Sequence, residues 1–358
     1  MLLIQNARID GKLSCVATEN GKILSVTPGD APATHAPADQ VIDAGGAHLF
    51  PGLIDIHTHG MMGIDTMDGE GLAALRAAYF AAGTTTVYPT TVTAAAADIR
   101  RVLSGDISPK EGCANVVGFH VEGPYVNPLA AGAQDPAYIK DPDAGEFATF
   151  PNAAIVTIAP ELPGALEFIK STGACVAIGH TKADYETARA AFRAGARQLT
   201  HTCNAMPPLL HRAPGPIGAA IAEDGYAQVI SDGLHLHESM VLALYRMFGA
   251  RRMILISDSM RATGMPDGQY MLGGLEITVQ DGVARTADGA LAGSTTTLLG
   301  CVQKAISFGI PPKDAFAMAS RTPAEMLGLL KGVIAPGYDA EFVLVDDAYN
   351  LIETFIFT

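Results

Sequence analysis

Two histidines separated by one residue stand at the end of an apolar run early in the chain. The run 53–56 is followed directly by His57 and His59. In a β-strand, residues two positions apart point to the same face, so both imidazoles would lie on one side at the strand's C-terminal end. This arrangement is suited to holding a metal ion. The alternative is a pair of partly exposed polar residues in a loop.

Other titratable residues also stand where an apolar run stops. They are Glu122, His180, His201, Asp232 and Asp258. Each taken alone has a structural explanation, such as a hydrogen-bonded histidine or an N-cap aspartate. Their recurrence at the same end of successive predicted strands is hard to attribute to packing.

The residue types at these strand ends indicate metal-assisted hydrolysis. Imidazole and carboxylate are ligands that Zn²⁺ and Fe²⁺ prefer, and an open coordination position would hold water. An additional Asp beside that water would act as a general base.

The elements that must position these residues alternate along the chain. Short β-branched runs alternate with Ala- and Leu-rich helical stretches, which is typical of βα repeats and a parallel sheet. We therefore predict a (β/α)₈ TIM-like barrel with metal-dependent hydrolase chemistry, because the C-terminal ends of barrel strands converge on one mouth. Besides the strand at 53–56, the predicted strands are 84–91, 116–122, 155–160, 175–180, 198–201, 227–232 and 253–258.

The helix boundaries carry their own signals. Asp184 is a predicted N-cap and Gly195 a predicted C-terminal glycine of one helix, and another spans 237–248. After the last barrel strand, residues 275–282 predict a small hairpin. Two helices should follow, one from about 295 and one from Pro323 with Thr322 as its N-cap.

The two ends of the chain predict a second, smaller domain. Turn pairs at 10–11 and 20–21 separate short strands, and the Pro- and Ala-rich stretch 28–37 predicts a loop. Strand and turn patterns return near the C-terminus. We predict a small β-sandwich domain built from 1–50 plus 335–358, and a catalytic barrel over 51–334.

Composition limits the classes of function. The 358 residues carry 23 Lys and Arg against 37 Asp and Glu, a net charge of −14, which argues against nucleic-acid and anionic-membrane partners. The 5 cysteines are scattered and odd in number, which favours reduced thiols. With no signal-peptide pattern at the N-terminus and no apolar run of roughly 18–20 residues, we expect a cytoplasmic protein.

Longer motifs extend over essentially the whole chain. They read PGLIDIHTHG from Pro51, GFHVEGPYVNP from Gly118, AIGHT from Ala177, LTHTCNAMPPLLHR from Leu199, SDGLHLH from Ser231, LISDSM from Leu255, LAGSTTTL from Leu291 and GVIAPGYDAEFVLVD from Gly332. Together they resemble the N-acetylglucosamine-6-phosphate deacetylases of the amidohydrolase superfamily. The superfamily shares the HxH pair, whereas NAM followed by HR, combined with DGLH, is far more specific.

The resemblance implies the metal ligands and the reaction. Glu122, His180 and His201 match the main metal site, His57 and His59 a second position, and one or two divalent ions, Zn²⁺ or Fe²⁺, are expected. Asp258 matches the catalytic acid and base. The implied reaction is hydrolysis of N-acetyl-D-glucosamine 6-phosphate to D-glucosamine 6-phosphate and acetate in amino-sugar catabolism. The alternatives are a related substrate such as N-acetylgalactosamine 6-phosphate, or a non-catalytic scaffold.

The resemblance also implies a sugar-phosphate site and a homodimer. Arg212 is expected to reach the neighbouring subunit's active site. Gln134 stands where many relatives have His, and Gln donates hydrogen bonds but does not titrate. The residues expected to bind substrate are Ala133, Gln134, Asn204, Ala205, Arg212, Asp232, His235, Leu291, Ala292 and Gly293.

Overall fold

The N-terminal strands belong to a mixed sheet that the C-terminus completes. A computed structural model describes residues 1–29 and 38–357, so the predicted loop over 28–37 lies almost wholly outside the described residues. The first five strands are β1 (Leu2–Ile9), β2 (Lys12–Glu19), β3 (Lys22–Pro28), β4 (Gln40–Asp43) and β5 (His48–Pro51). Both predicted hairpin turns are confirmed, with Asp10, Gly11, Asn20 and Gly21 all at positive φ, as type I′ turns require.

The strands of the central region follow in chain order. They are β6 (Leu53–Thr58), β7 (Gly60–Met61), β8 (Ile64–Asp65), β9 (Thr84–Thr91), β10 (Asn115–Val116), β11 (Phe119–Glu122), β12 (Ala153–Ile158), β13 (Cys175–Ile178), β14 (Gln198–Leu199), β15 (Tyr226–Val229) and β16 (Met253–Leu255). Strands β9, β11 and β12 to β16 pair in parallel in that order, and β6 pairs with β9. Backbone bonds between Asp258 N and His57 O (2.9 Å) and between His59 N and Ser259 O (2.7 Å) bring the last strand to the first. The predicted eight-stranded parallel barrel is confirmed.

The helices lie around these strands, and their apolar faces pack on the barrel in two clusters of buried residues. They are α1 (Leu72–Ala81), α2 (Ala96–Leu103), α3 (Ala144–Phe147), α4 (Ala165–Ser171), α5 (Tyr185–Ala194), α6 (Gly215–Ala222), α7 (Glu238–Phe248), α8 (Leu298–Ser307), α9 (Pro312–Met318) and α10 (Arg321–Leu327). Asp184 caps α5 through its side chain and Gly195 ends it, as predicted. Across the described ranges, no helix is long and apolar enough to cross a membrane.

The remaining strands complete two smaller sheets. Strands β17 (Gly268–Leu272), β18 (Leu275–Gln280) and β19 (Val283–Thr286) form a three-stranded antiparallel sheet where the sequence predicted a hairpin. Strands β20 (Glu341–Val345) and β21 (Leu351–Ile356) join β1 to β5 in one seven-stranded sheet. The contribution of both chain ends to a second sheet is confirmed, while the exact domain boundaries stay a prediction.

Two local predictions were wrong. The strand predicted over 116–122 is split into β10 and β11, because Gly118 takes a φ of 156° that interrupts the extended run. Thr322 is not an N-cap: α10 begins at Arg321 after Ser320, and the Thr322 hydroxyl donates to the carbonyl of Ala250 at 2.6 Å. The tertiary acceptor therefore takes the hydroxyl that the local pattern assigned to the helix end.

Candidate metal centre

Six predicted side chains meet in one buried cluster at the C-terminal ends of the barrel strands. Residues 57 and 59 come from the end of β6, and residue 122 is the last of β11. The others lie two or three residues past the ends of β13, β14 and β16. All six are buried and form two groups, His57, His59 and Asp258, and Glu122, His180 and His201, in each of which the ligand atoms lie within 4.8 Å of one another.

Glu122 lies between the two groups. Its Oε1 is 3.1 Å from His201 Nε2, 3.2 Å from His180 Nε2 and 3.3 Å from His57 Nε2. Its Oε2 is 3.3 Å from His59 Nε2. The carboxylate thus addresses both groups, with a different oxygen turned to His59.

Asp258 faces Glu122 across the first histidine pair. Its Oδ1 lies 3.3 Å from His59 Nε2 and 3.5 Å from His57 Nε2. The two Nε2 atoms of that pair are 3.3 Å apart, which confirms the predicted common face of the strand.

The hydrogen bonds behind the cluster determine which ring nitrogens face it. Nδ1 of His59 donates to the Thr90 carbonyl at 3.2 Å, and Nδ1 of His180 donates to the Ala130 carbonyl at 2.9 Å. Because a carbonyl only accepts, the proton of each neutral ring is on Nδ1 and the lone pair on Nε2 points into the cluster.

His57 is oriented in a similar way by a side chain. Its Nδ1 lies 3.0 Å from Oε1 of Gln228. The amide of Gln228 is itself oriented, since its Nε2 donates to Gln198 at 3.1 Å. In the neutral form of these rings, which metal ligation requires, three lone pairs therefore point at the two carboxylates.

The donor set fits divalent cations. Converging acceptors repel one another unless a positive charge lies among them. Within the described part of the chain, Asp258 Oδ1 and His201 Nδ1 are buried and accept or donate no hydrogen bond. Mixed imidazole and carboxylate ligands of this number suit a divalent metal ion. The two buried groups together are consistent with a site for two ions.

Electrostatics keep both carboxylates ionised. Burial alone would raise the pKa of Glu122, but the neighbouring His57 and His180 hold it well below its ordinary value. Burial also opposes ionisation of Asp258, and His57 and His59 lower its pKa to about 2. Both groups are therefore negatively charged at neutral pH, as metal ligation and base catalysis require.

Three residues of this cluster have a strained backbone conformation. His180, His201 and Asp258 have φ values of 46°, 26° and 49°, in the left-handed region that L-residues seldom occupy. Such a conformation costs about 1–3 kcal/mol per residue and persists where the surrounding structure enforces it, commonly at functional sites. All three lie two or three residues past the end of a barrel strand, and their side chains line the cavity at the mouth.

A cavity of about 390 Å³ opens above the cluster. Seven of the ten predicted substrate residues line it: Ala133, Gln134, Asn204, Ala205, His235, Leu291 and Gly293. Ala292 is buried between two of these residues and does not line the cavity. The volume of the cavity suits a small molecule.

Asp232 acts on the cavity through a neighbour. Its Oδ2 accepts from Nδ1 of His235 at 2.8 Å, and its Oδ1 accepts from two backbone N–H groups. Burial opposes protonation of His235, yet this carboxylate raises the pKa of His235. The pair therefore offers a positively polarised ring to an anionic ligand.

Arg212 lies outside this chain's own cavity. It belongs to an exposed segment next to Leu209 and Leu210, which are 41% and 52% exposed. The structure of one chain therefore does not bring Arg212 to the cluster.

Sequence reasoning missed several residues around the site. Gln228, which orients His57, ends no strand and gave no local signal. Lys182 lies at the cavity rim two residues after His180, a spacing that could have pointed to it. His120 is also buried here, but both of its ring nitrogens are hydrogen-bonded: Nδ1 donates to the Ile56 carbonyl at 3.1 Å and Nε2 bonds the Thr157 hydroxyl at 2.8 Å.

Comparison with known proteins agrees with this geometry. Residues 48–358 match the model of the amidohydrolase family. An N-acetylglucosamine-6-phosphate deacetylase of Vibrio furnissii is 37% identical over 94% of this chain and 88% of its own length.

The chain belongs to the N-acetylglucosamine-6-phosphate deacetylase family of amidohydrolases.

Two further similarities describe the range of this amidohydrolase's relatives. A mutant N-acetyl-D-glucosamine-6-phosphate deacetylase of Mycobacterium smegmatis, solved in complex with N-acetyl-D-glucosamine-6-phosphate, superposes with a TM-score of 0.88 at 33% identity and covers 99% of this chain and 97% of that one. An N-acetylgalactosamine-6-phosphate deacetylase of Escherichia coli O157:H7 is 36% identical over 86% of each chain. The predicted family is confirmed.

Proposed function

We propose that the protein hydrolyses the acetamide of N-acetyl-D-glucosamine 6-phosphate to D-glucosamine 6-phosphate and acetate, within amino-sugar catabolism. The observation that carries this proposal is the pair of intact ligand groups at the floor of a cavity lined by the predicted sugar-contacting residues. A barrel retained only as a scaffold has no need of six converging ligands.

The metal-binding roles follow from the cluster. Glu122, His180 and His201 would hold one divalent ion, and His57 and His59 with Asp258 a second. When bound, such ions supply Lewis-acid polarisation of the carbonyl and lower the pKa of water. Zn²⁺ and Fe²⁺ are the ions that these ligands favour.

Asp258 is the proton carrier in this proposal. Its carboxylate is ionised, borders the cavity and has one oxygen without a hydrogen-bond partner among the residues described. It would accept a proton from the attacking water and deliver it to the departing nitrogen, because an amide anion is a very poor leaving group. A carboxylate has two oxygens, so ligation through one leaves the other for this transfer.

The substrate phosphate is assigned to positive groups at the cavity and from a second copy. His235, oriented by Asp232, lies in the wall. We place Arg212 in the active site of a neighbouring subunit, since it lies beside exposed Leu209 and Leu210 and outside its own cavity. Binding energy from the remote phosphate would help to position the acetamide.

The test of the reaction compares two epimers. Acetate release is measured from N-acetylglucosamine 6-phosphate, N-acetylgalactosamine 6-phosphate and unphosphorylated N-acetylglucosamine, with the metal content of each preparation determined. We expect the first to have the highest kcat/KM. The galactosamine relative at 36% identity makes that epimer the second candidate. A metal-loaded protein inactive on both phosphorylated sugars contradicts the assignment.

The dimer is tested by mixing two inactive variants. Arg212→Ala and Asp258→Asn subunits, combined and exchanged, should regain activity, since a mixed dimer contains one active site with neither change. Sedimentation of the wild type reports its oligomeric state. A monomer, or no recovery in confirmed mixed dimers, rules out the shared site.

A further inference from the structure

Gln134 is buried beside the metal centre with both ends of its amide in use. It lies between the 3₁₀ turns Pro128–Ala130 and Pro136–Tyr138 and is 3% exposed. Its Oε1 accepts from the backbone N–H of Thr93 at 2.6 Å, and its Nε2 donates to Oε2 of Glu122 at 2.8 Å.

The two partners together determine the orientation of this amide. A backbone N–H only donates, and an ionised carboxylate only accepts. The amide oxygen must therefore face Thr93 and the nitrogen must face Glu122. If the amide were flipped, its NH₂ group would face the N–H of Thr93 and its oxygen would face the Glu122 carboxylate. Donor would then meet donor, and acceptor would meet acceptor. Gln134 thus ties the Glu122 carboxylate to the backbone after β9.

This tie acts on one oxygen of Glu122. Oε1 lies among the Nε2 atoms of residues 57, 180 and 201. Oε2 has two neighbours, Gln134 at 2.8 Å and His59 at 3.3 Å. If the carboxylate rotated about its Cγ–Cδ bond, the bond from Gln134 would break. Gln134 therefore holds Oε2 turned toward His59, in the direction of the second ligand group.

We propose that Gln134 is a positioning residue that fixes the rotation of the Glu122 carboxylate, with Oε1 among residues 57, 180 and 201 and Oε2 facing His59. One N–H of its amide donates to Glu122, which leaves the second N–H for a contact with substrate. The inference rests on the proposed two-ion site, and it assigns Gln134 to metal binding in addition to the cavity wall.

The test is Gln134→Met, which keeps an unbranched side chain of similar length and removes both hydrogen bonds. Gln134→Asn is the second variant, because it keeps the amide but is one methylene too short to reach both partners. Gln303→Met on α8 is the matched control, because it removes a Gln hydrogen bond, from Nε2 to the Tyr349 carbonyl (2.9 Å), outside the cavity lining. Chelator competition with Zn²⁺, and the spectrum of the Co²⁺-substituted protein, report the ions without reference to turnover.

We expect both Gln134 variants to bind the more weakly held ion about 10–100-fold less tightly, the usual effect of losing a hydrogen bond to a metal ligand. The Co²⁺ spectrum should change, while Gln303→Met matches the wild type in both measurements. With excess metal the variants should regain part of their kcat, with little change in KM. Thermal unfolding in excess metal checks that they fold.

Two results would overturn the inference. One is unchanged metal affinity in both Gln134 variants with a raised KM, which would make Gln134 a substrate contact alone. The other is a wild type that binds a single ion. Loss of the proposed function is distinguishable: a wild type inactive on both phosphorylated sugars, but with the metal-affinity difference intact, refutes the reaction and leaves the positioning role standing.

Discussion

Replacing Asp258 by Asn separates proton transfer from metal binding. The residue has a φ of 49°, and Asn is among the few residues that adopt the left-handed region readily, so this change adds less strain than Ala would. The side chain keeps its shape but loses its charge and its ability to accept a proton. Glu122, His180 and His201 are untouched, so the ion that they hold should remain.

The expected loss follows from the step that disappears. A positioned general acid and base contributes roughly 10²–10⁴ to a rate, and Asp258 is assigned both transfers. We therefore expect kcat to fall by a factor of about 10³, which corresponds to roughly 4 kcal/mol of lost transition-state stabilisation. KM should change little, because the phosphate contacts are elsewhere.

The assay measures acetate release from N-acetylglucosamine 6-phosphate at equal metal loading, with metal content determined before and after. A loss of activity could come from weaker metal ligation or from the missing proton carrier, and excess metal distinguishes the two. It restores activity lost through weaker ligation but does not replace a proton carrier. Asp232→Asn is the control: it is also a carboxylate at a strand end, but it acts through His235 and should raise KM more than it lowers kcat. Turnover of Asp258→Asn within about tenfold of the wild type would refute the reasoning.

Three further predictions concern the cavity, the ions and the joint between the sheets. His235→Ala should raise KM for the phosphorylated sugar at least tenfold by steady-state kinetics and leave activity on unphosphorylated N-acetylglucosamine nearly unchanged; equal effects on both sugars would contradict phosphate binding. Removing the ions with a chelator should lower Tm in calorimetry, because an ion whose free concentration is 100 times its dissociation constant stabilises the folded state by about 2.7 kcal/mol. An unchanged Tm would show that the folded state binds no ion. Glu341→Gln should lower the free energy of unfolding in urea by roughly 3 kcal/mol, because Glu341 forms a buried ion pair with Lys331 and accepts from the Thr85 hydroxyl at 2.9 Å. This value is the low end for breaking a buried ion pair, since Asp339 stays 3.1 Å from the Lys331 ammonium. The control is Arg321→Gln, which breaks an exposed i,i+4 pair with Glu325 and should change the free energy of unfolding by less than about 0.5 kcal/mol.

The residues of the metal centre were predictable because their positions depend on local periodicity. Strand parity placed His57 and His59 on one face, and the ends of apolar runs placed Glu122, His180 and Asp258 at one edge of a parallel barrel. In such a barrel all strand ends meet at one mouth, so convergence follows from the repeat itself. Caps and turns such as Asp184 and residues 20–21 were predictable for the same local reason.

Roles that depend on partners distant in sequence were not predictable. Gln134 finds its donor partner, the Thr93 N–H, 41 residues away and its acceptor partner, Glu122, 12 residues away. Thr322, a reasonable N-cap by pattern, donates to a carbonyl 72 residues earlier. A hydroxyl or amide side chain forms a hydrogen bond with whichever partner the fold brings within reach. The local spacing of residues in the sequence does not show which partner that is.

The histidine pair at the end of β6 shows where the two kinds of information divide. Sequence by itself determined that two imidazoles leave one strand on one side, because a pleated strand alternates its side chains. Only the tertiary structure decided which nitrogen of each ring faces the site, through the Thr90 carbonyl and the Gln228 amide, and that both rings share Glu122 with His180 and His201. The periodicity of a strand determines which way its own side chains point. Whether side chains from different strands share one ligand depends on the distances between those strands, which the fold sets.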